Sequence, residues 1–150
     1  MRDAFTTALK DAMKAGDKRR ISTIRLITAA LKDRDIEARG VGKGPLGDDE
    51  ILGLLQKMVK QRQESLKIYE ENARPELAEQ EREEIAIIMG FMPQQMSEAE
   101  VAAAIDAVVA ETGAAGMKDM GKVMAALKER YSGRMDFGKA SAAIKARLAS

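Results

Sequence analysis

The chain has 150 residues, 45% of them apolar but only 3% aromatic, with 33% charged and a formal net charge of +1. That suits one domain or two small ones, with a core of Leu, Ile, Val, Met and Ala, a mixture of high helix propensity. Histidine and cysteine are both absent, which excludes an imidazole base, a thiolate nucleophile, a disulfide and a zinc site of the usual kind.

Helical periodicity begins at once. Phe5, Ala8, Leu9, Ala12 and Met13 predict one apolar face on a helix over residues 3–15, ended by Gly16. Asp17 is the expected N-cap of a long helix through Ala38, whose core stripe is Ile21, Ile24, Ile27, Thr28 and Leu31. The stretch RGVGKGPLGDD, residues 39–49, is a glycine-rich loop, read as a flexible connector. Ile51, Leu54, Leu55, Met58, Val59, Leu66 and Tyr69 then predict a helix over 50–71. Pro75 suits the first turn of a fourth helix, and Gly90 its end. Phe91-Met92-Pro93 breaks the pattern, because the residue before proline is pushed toward extended geometry. The domain boundary is expected there, giving an N-terminal helical bundle over 1–90 and a smaller helical domain over 91–150.

Ser97 and Glu100 form a capping box for a fifth helix from Glu98, which carries Val101, Ile105, Val108 and Val109 and is closed by Gly113. A sixth helix is expected over 117–130 and a seventh over 137–149, with Asp136 as its N-cap. No alternating pattern supports a strand, so the fold class is all-α. The start, MRDAFTTALKDAMKAG, lacks an apolar h-region, and no run reaches the roughly 18 residues of a membrane span. The expectation is a soluble cytoplasmic protein that makes no membrane contact.

Charge is uneven along the chain. Residues 1–40 hold ten basic and six acidic side chains, residues 41–90 seven and eleven, and residues 91–150 eight and seven. A dedicated nucleic-acid binder is often far more basic overall, so any such contact must be local. Glycines around Lys43 lack the following Ser or Thr, and the preceding strand, of a phosphate-binding loop. Lys18, Arg25, Lys32 and Arg39 recur every seven residues, and the plain expectation is that they snorkel over the edge of the core stripe. Glu76, Glu79, Glu81, Glu83 and Glu84 read as a solvated helix face, not a metal site. Methionines 89, 92, 96, 117, 120, 124 and 135 read as core filling.

The last third is more suggestive. Lys118 and Lys122 lie one turn apart near the expected start of the sixth helix, where free N–H groups favour an anion. Arg134 falls in the next turn and Lys139 in the first turn of the seventh helix. These four are the candidate nucleic-acid-binding residues. Lys128, Arg130, Lys145 and Arg147 read as solvated faces or partners of helix C-termini. No catalytic residue, metal ligand or cofactor is assigned.

The stretch MKDMGKVMAALKERYSGRMDFGKASAAIKARL resembles the C-terminal motif of the GatB/YqeY family. The resemblance extends through Asp17-Lys18-Arg19, Ile24–Ile27, Ala29–Lys32, Lys57–Arg62, Ser65, Tyr69 and Phe91–Gln95. It implies an N-terminal bundle followed by a small three-helix domain, similar to the tail of the B subunit of the glutamine-dependent tRNA amidotransferase. It further implies tRNA, an amidotransferase or another helical protein as partner. The family-level activity is carbon–nitrogen ligation with glutamine as amide donor. This chain has the tail-like domain without the nucleotide-using body or an amidase Ser-Ser-Lys set. The expected function is therefore a non-catalytic tRNA-binding or amidotransferase-associated module. The alternative is a protein–protein adaptor with no nucleic-acid contact.

Overall fold

The computed structural model describes residues 1–149. Among them the regular structure is seven α-helices and one 3-10 turn, with no strand. The chain divides into two compact units, Met1–Pro93 and Gln94–Ser150.

In the first unit, α1 (Arg2–Ala15) stops at Gly16, which adopts a left-handed φ of 68°, a conformation that costs glycine no Cβ clash. Asp17 then accepts the Arg20 N–H at 3.1 Å and starts α2 (Lys18–Gly40). α3 (Asp48–Glu71) opens on Asp48, Asp49 and Glu50, placing negative charge at the positive end of its dipole. α4 (Pro75–Met89) begins on proline. Phe5, Ile27, Leu31, Ile51, Leu55 and Ile88 form the centre of this core. A fully buried side chain of this kind contributes about 1.5–3 kcal/mol by leaving water. Phe91 returns to meet Phe5 edge-on, with ring centroids 5.0 Å apart, and the Arg20 guanidinium lies 5.7 Å from its centroid.

Three expectations for this unit are corrected. Met13 is exposed, because the buried line of α1 runs from Phe5 to Ala12 and the next position turns outward. The glycine-bearing segment after α2 is tethered, not free. Leu46 is buried in the core, its N–H donates to Asp35 at 3.0 Å, and its carbonyl accepts from Arg2 at 3.0 Å. Arg2 also grips both Asp35 oxygens, at 2.8 and 2.9 Å. The Arg2 guanidinium and the Leu46 amide together hold the Asp35 carboxyl at about 2.

The third correction concerns the acidic helix. α3 and α4 are the most extensively packed pair, and Glu84 is buried between them. Arg62 Nε donates to Glu84 Oε2 at 3.0 Å, and Arg62 Nη1 donates to the Met58 carbonyl at 3.1 Å. Gln80 Nε2 donates to the other Glu84 oxygen at 3.3 Å. Glu81 Oε2 is buried with no hydrogen-bond partner. Burial, and then the neighbouring Glu84 charge, push its carboxyl above the usual range, while Arg62 pulls it down.

In the second unit, α5 (Glu98–Thr112) carries the predicted capping box, with both Ser97–Glu100 bonds at 3.1 Å. It ends at Gly113, φ 66°. A 3-10 turn at Met117–Asp119 leads into α6 (Met120–Tyr131), and α7 (Phe137–Ala149) completes the unit. The three helices enclose Ile105, Val108, Val123, Leu127, Met135 and Ile144. Met96, Met120 and Met124 pack at the margin of that core, whereas Met117 and Met89 are exposed.

Candidate nucleic-acid interface

Lys118 and Lys122 are both exposed, Lys118 in the 3-10 turn and Lys122 in the first turn of α6. The helix start differs from the sequence expectation. Asp119 swings its carboxylate back to accept the Ala115 N–H at 3.0 Å, and this local bond competes with a regular α-turn. The Asp119 N–H donates to Gly116 O and the Met120 N–H to Met117 O. Two of the donors that an anion was expected to find are therefore already used.

Asp119 sits between the two lysines electrically as well as in sequence. Its carboxyl is held below the usual range first by the Ala115 N–H and then by the charges of Lys122 and Lys118. A phosphate approaching the lysines meets two ammonium groups and one fixed carboxylate. Any attraction there comes from the side chains more than from the helix end.

Arg134 has a different occupation. Its Nε donates to the Gln94 carbonyl at 3.0 Å, and its guanidinium lies 5.8 Å from the Tyr131 ring centroid. The Arg134 carbonyl accepts the Met96 N–H at 2.9 Å, and Gln95 Nε2 donates to the Gly133 carbonyl at 2.6 Å. These bonds stitch residues 94–96 to the turn between α6 and α7. Arg134 is half-buried, so part of its positive edge is spent on the fold. Lys139 is exposed in the first turn of α7, where Asp136 accepts the N–H groups of Gly138 and Lys139 at 2.8 and 3.3 Å.

The structure thus gathers Lys118 and Lys122 around one carboxylate and sets at the α6–α7 turn Arg134, whose side chain is held by Gln94, and Lys139, whose backbone N–H is held by Asp136. Two of the cations read as solvated or as partners of helix C-termini also form exposed ion pairs: Arg130 with Glu111, and Arg147 Nε with Asp106 at 3.1 Å. Both acids lie on α5, so the two pairs link α6 and α7 to it at the surface, where such pairs add little stability. The stapling by Gln94 and Gln95 was missed from sequence. Its only trace there is the glutamine pair directly after Pro93.

Comparison with known proteins places this architecture. The sequence pattern of the family YqeY, described as Yqey-like protein, matches residues 2–148. Among curated relatives, "Altered inheritance of mitochondria protein 41, mitochondrial" of Lachancea thermotolerans is 34% identical over 69% of this chain and 54% of its own length. The protein of the same name from Eremothecium gossypii is 34% identical over 69% of this chain and 56% of its own. That from Candida glabrata is 32% identical over 57% and 46%. The chain spans about half the length of these relatives. They also overturn the expectation of a cytoplasmic protein, since each is named as mitochondrial. The physical reason is plain: an apolar h-region marks secretion, and its absence carries no information about organelles.

Proposed function

We propose a function for the second unit from one established premise: the chain belongs to the family of Yqey-like proteins. The unit is a non-catalytic module that holds tRNA through its phosphate backbone. Lys118, Lys122 and Lys139 make the contacts, and Arg134 shapes the turn and offers its remaining edge. The observation that carries this reading is the exposed pair Lys118 and Lys122 at the N-terminal start of α6. Neither side chain forms an ion pair or hydrogen bond among the described residues, while Arg130 and Arg147 of the same unit are bound to acids. A partial neutralisation by Asp119 tunes this patch for weak, salt-sensitive binding.

Titration of the chain with total tRNA at 50 and 200 mM salt tests the reading. Each neutralised phosphate contributes about 0.7–0.9 to the slope of log affinity on log salt, so Lys118→Ala/Lys122→Ala should lower that slope by about 1.5. An unchanged slope, or binding no better than to a scrambled hairpin, sinks it.

One observation favours a protein adaptor instead. Ala102, Ala103, Ala107 and Ala110 are exposed on α5, and side chains this small let another helix approach closely. Capture of a helical partner, such as an amidotransferase subunit, unaffected by nuclease and by salt would decide for this second reading.

A further inference from the structure

A second cationic feature lies in the first unit. Lys18, Arg25, Lys32 and Arg39 recur along α2 at seven-residue intervals, so one cation appears about every 10 Å over about 30 Å of helix. Seven residues fall about 20° short of two turns, and the row drifts only slowly round the axis. Ile24, Ile27 and Leu31 are buried, whereas all four cations are exposed. At about 100° per residue the row runs from nearly opposite that core at Lys18 to its flank at Arg39. Their charged ends are open to water, whether or not the stems lie along the edge of the core stripe.

The same helix shows what happens when an acid is in reach. Arg19 binds Glu83 at 2.9 Å, and Arg34 meets Glu37 at 4.0 Å. Among the described residues, the side chains of Lys18, Arg25 and Lys32 make neither ion pair nor hydrogen bond. Two carboxylates of α2 lie near the row, exposed Asp33 and half-buried Asp35, whose charge acts on Arg39, against four cations.

The row ends at a recess. Arg2, Asp35, Arg39, Lys43, Gly44 and Pro45 line a cleft of about 330 Å³. Three cations against the one Asp35 carboxylate leave the cleft wall a net positive charge, although Asp35 interacts with Arg39 as well as with Arg2. A helix C-terminus ordinarily repels anions. Here the carbonyls of Ala38 and Arg39 are already engaged, Ala38 by the N–H groups of Val41 and Lys43 and Arg39 by that of Gly42.

We propose that the outer face of α2, ending in the Arg39–Lys43 cleft, is a second contact surface for an RNA backbone. Successive phosphates follow the row, and one enters the cleft. The choice of RNA over another polyanion rests on the reading of the second unit. A membrane fits less well, because a helix lying in a bilayer interface buries a broad apolar face. That face of α2 is in the core, with Leu26 and Ile36 the large apolar side chains of this helix left exposed.

The test uses the full chain, total tRNA at 50 and 200 mM salt, and two vesicle preparations, one phosphatidylcholine and one rich in phosphatidylserine. Lys18→Gln/Arg25→Gln/Lys32→Gln/Arg39→Gln is compared with Lys118→Ala/Lys122→Ala. Four lost phosphate contacts lower the salt slope by about 3, so the affinity lost between the two salts shrinks by about 60-fold. Far-UV circular dichroism melts check the fold. The single variants Lys32→Gln and Arg39→Gln, each expected to lower the slope by about 0.7–0.9, replace the quadruple one if it melts early. A lowered slope in the α2 variants supports the proposal, even if the Lys118/Lys122 variant proves silent and the second-unit reading falls. A slope lowered only by Lys118→Ala/Lys122→Ala overturns the proposal and leaves that reading standing. If neither set moves the slope, both fail. Loss of phosphatidylserine-vesicle binding with tRNA binding intact would identify a membrane face and overturn it too.

Discussion

Arg62→Met removes the cation from a carboxylate pair buried between α3 and α4. In the parent chain the Arg62 and Glu84 side chains are only 15% and 8% exposed, with Nε and Oε2 3.0 Å apart. The variant leaves Glu84 with Gln80 as donor at 3.3 Å. It also strips Glu81 of the charge that offsets its burial. Breaking a buried pair costs about 3–5 kcal/mol, and the residual exposure of Arg62 puts the expected loss near 3 kcal/mol. Glu84→Leu should cost less, about 2 kcal/mol, because the guanidinium keeps the Met58 carbonyl and the attraction of Glu81. The double variant Arg62→Met/Glu84→Leu removes both charges and fills their volume, so it should lie within about 1 kcal/mol of the parent. The resulting coupling is about 4 kcal/mol, far outside ordinary additivity. Urea unfolding followed by circular dichroism at pH 7, with the m-value checked for constancy, measures all four corners. An Arg62→Met cost below about 1 kcal/mol, or single costs that simply add in the double variant, would refute the assignment of this pair as a buried, mutually dependent unit.

Ser97→Ala should destabilise the second unit by about 1 kcal/mol through loss of the capping box, read as a lower melting temperature; no change would mean that water replaces the cap at no cost. The Asp35 carboxyl is held at about 2 against an ordinary 3.8. Its contribution is complete above the ordinary value and drains away as pH falls toward the lowered one. Asp35→Asn should therefore reduce stability at neutral pH and flatten the acid limb of melting temperature against pH; a limb as steep as the parent's counts against the clasp with Arg2. Ala73 adopts a left-handed φ of 52° at the end of α3, where a Cβ costs about 1–2 kcal/mol. Ala73→Gly relieves this while adding about 0.5–1 kcal/mol of unfolded-state entropy. The net gain should be about 0.5 kcal/mol by urea unfolding, and a clear loss would contradict the backbone assignment.

What the sequence made legible was local or periodic. Phe5, Ile24, Ile27, Leu31, Ile51 and Leu55 repeat at helical spacing because one face of each helix must leave water, and all are buried. Asp17, Gly16, Gly113 and the Ser97–Glu100 box act within four residues of themselves, so their roles could be read directly. The rest depends on which helix lies beside which. Glu84 looks like its solvated neighbours until α3 brings Arg62 across from 22 positions away. Arg147 finds Asp106 at a separation of 41. Arg134 looked like a free cation for the same reason: the carbonyl that occupies it belongs to Gln94, 40 residues earlier. Leu46 is a single apolar residue among glycines, too short a signal to show periodicity, yet it closes the core. For the candidate interface, residue type and exposure of Lys118, Lys122 and Lys139 were legible. The carboxylates beside them, Asp119 and Asp136, were visible in the sequence too, but only the turn geometry shows where their oxygens point.

The methionines of the second unit carry a chemical consequence of their unequal burial. Met117 is 44% exposed and Met135 only 3%. A peroxide reaches the first thioether without any opening of the fold, and the new sulfoxide oxygen is left in water. At Met135 the same oxygen would enter an apolar core that cannot solvate it, so the reaction waits for the unit to open. The ratio of the two rates, read from the masses of the two peptides, is a measure of how often that small helical unit opens within the intact chain.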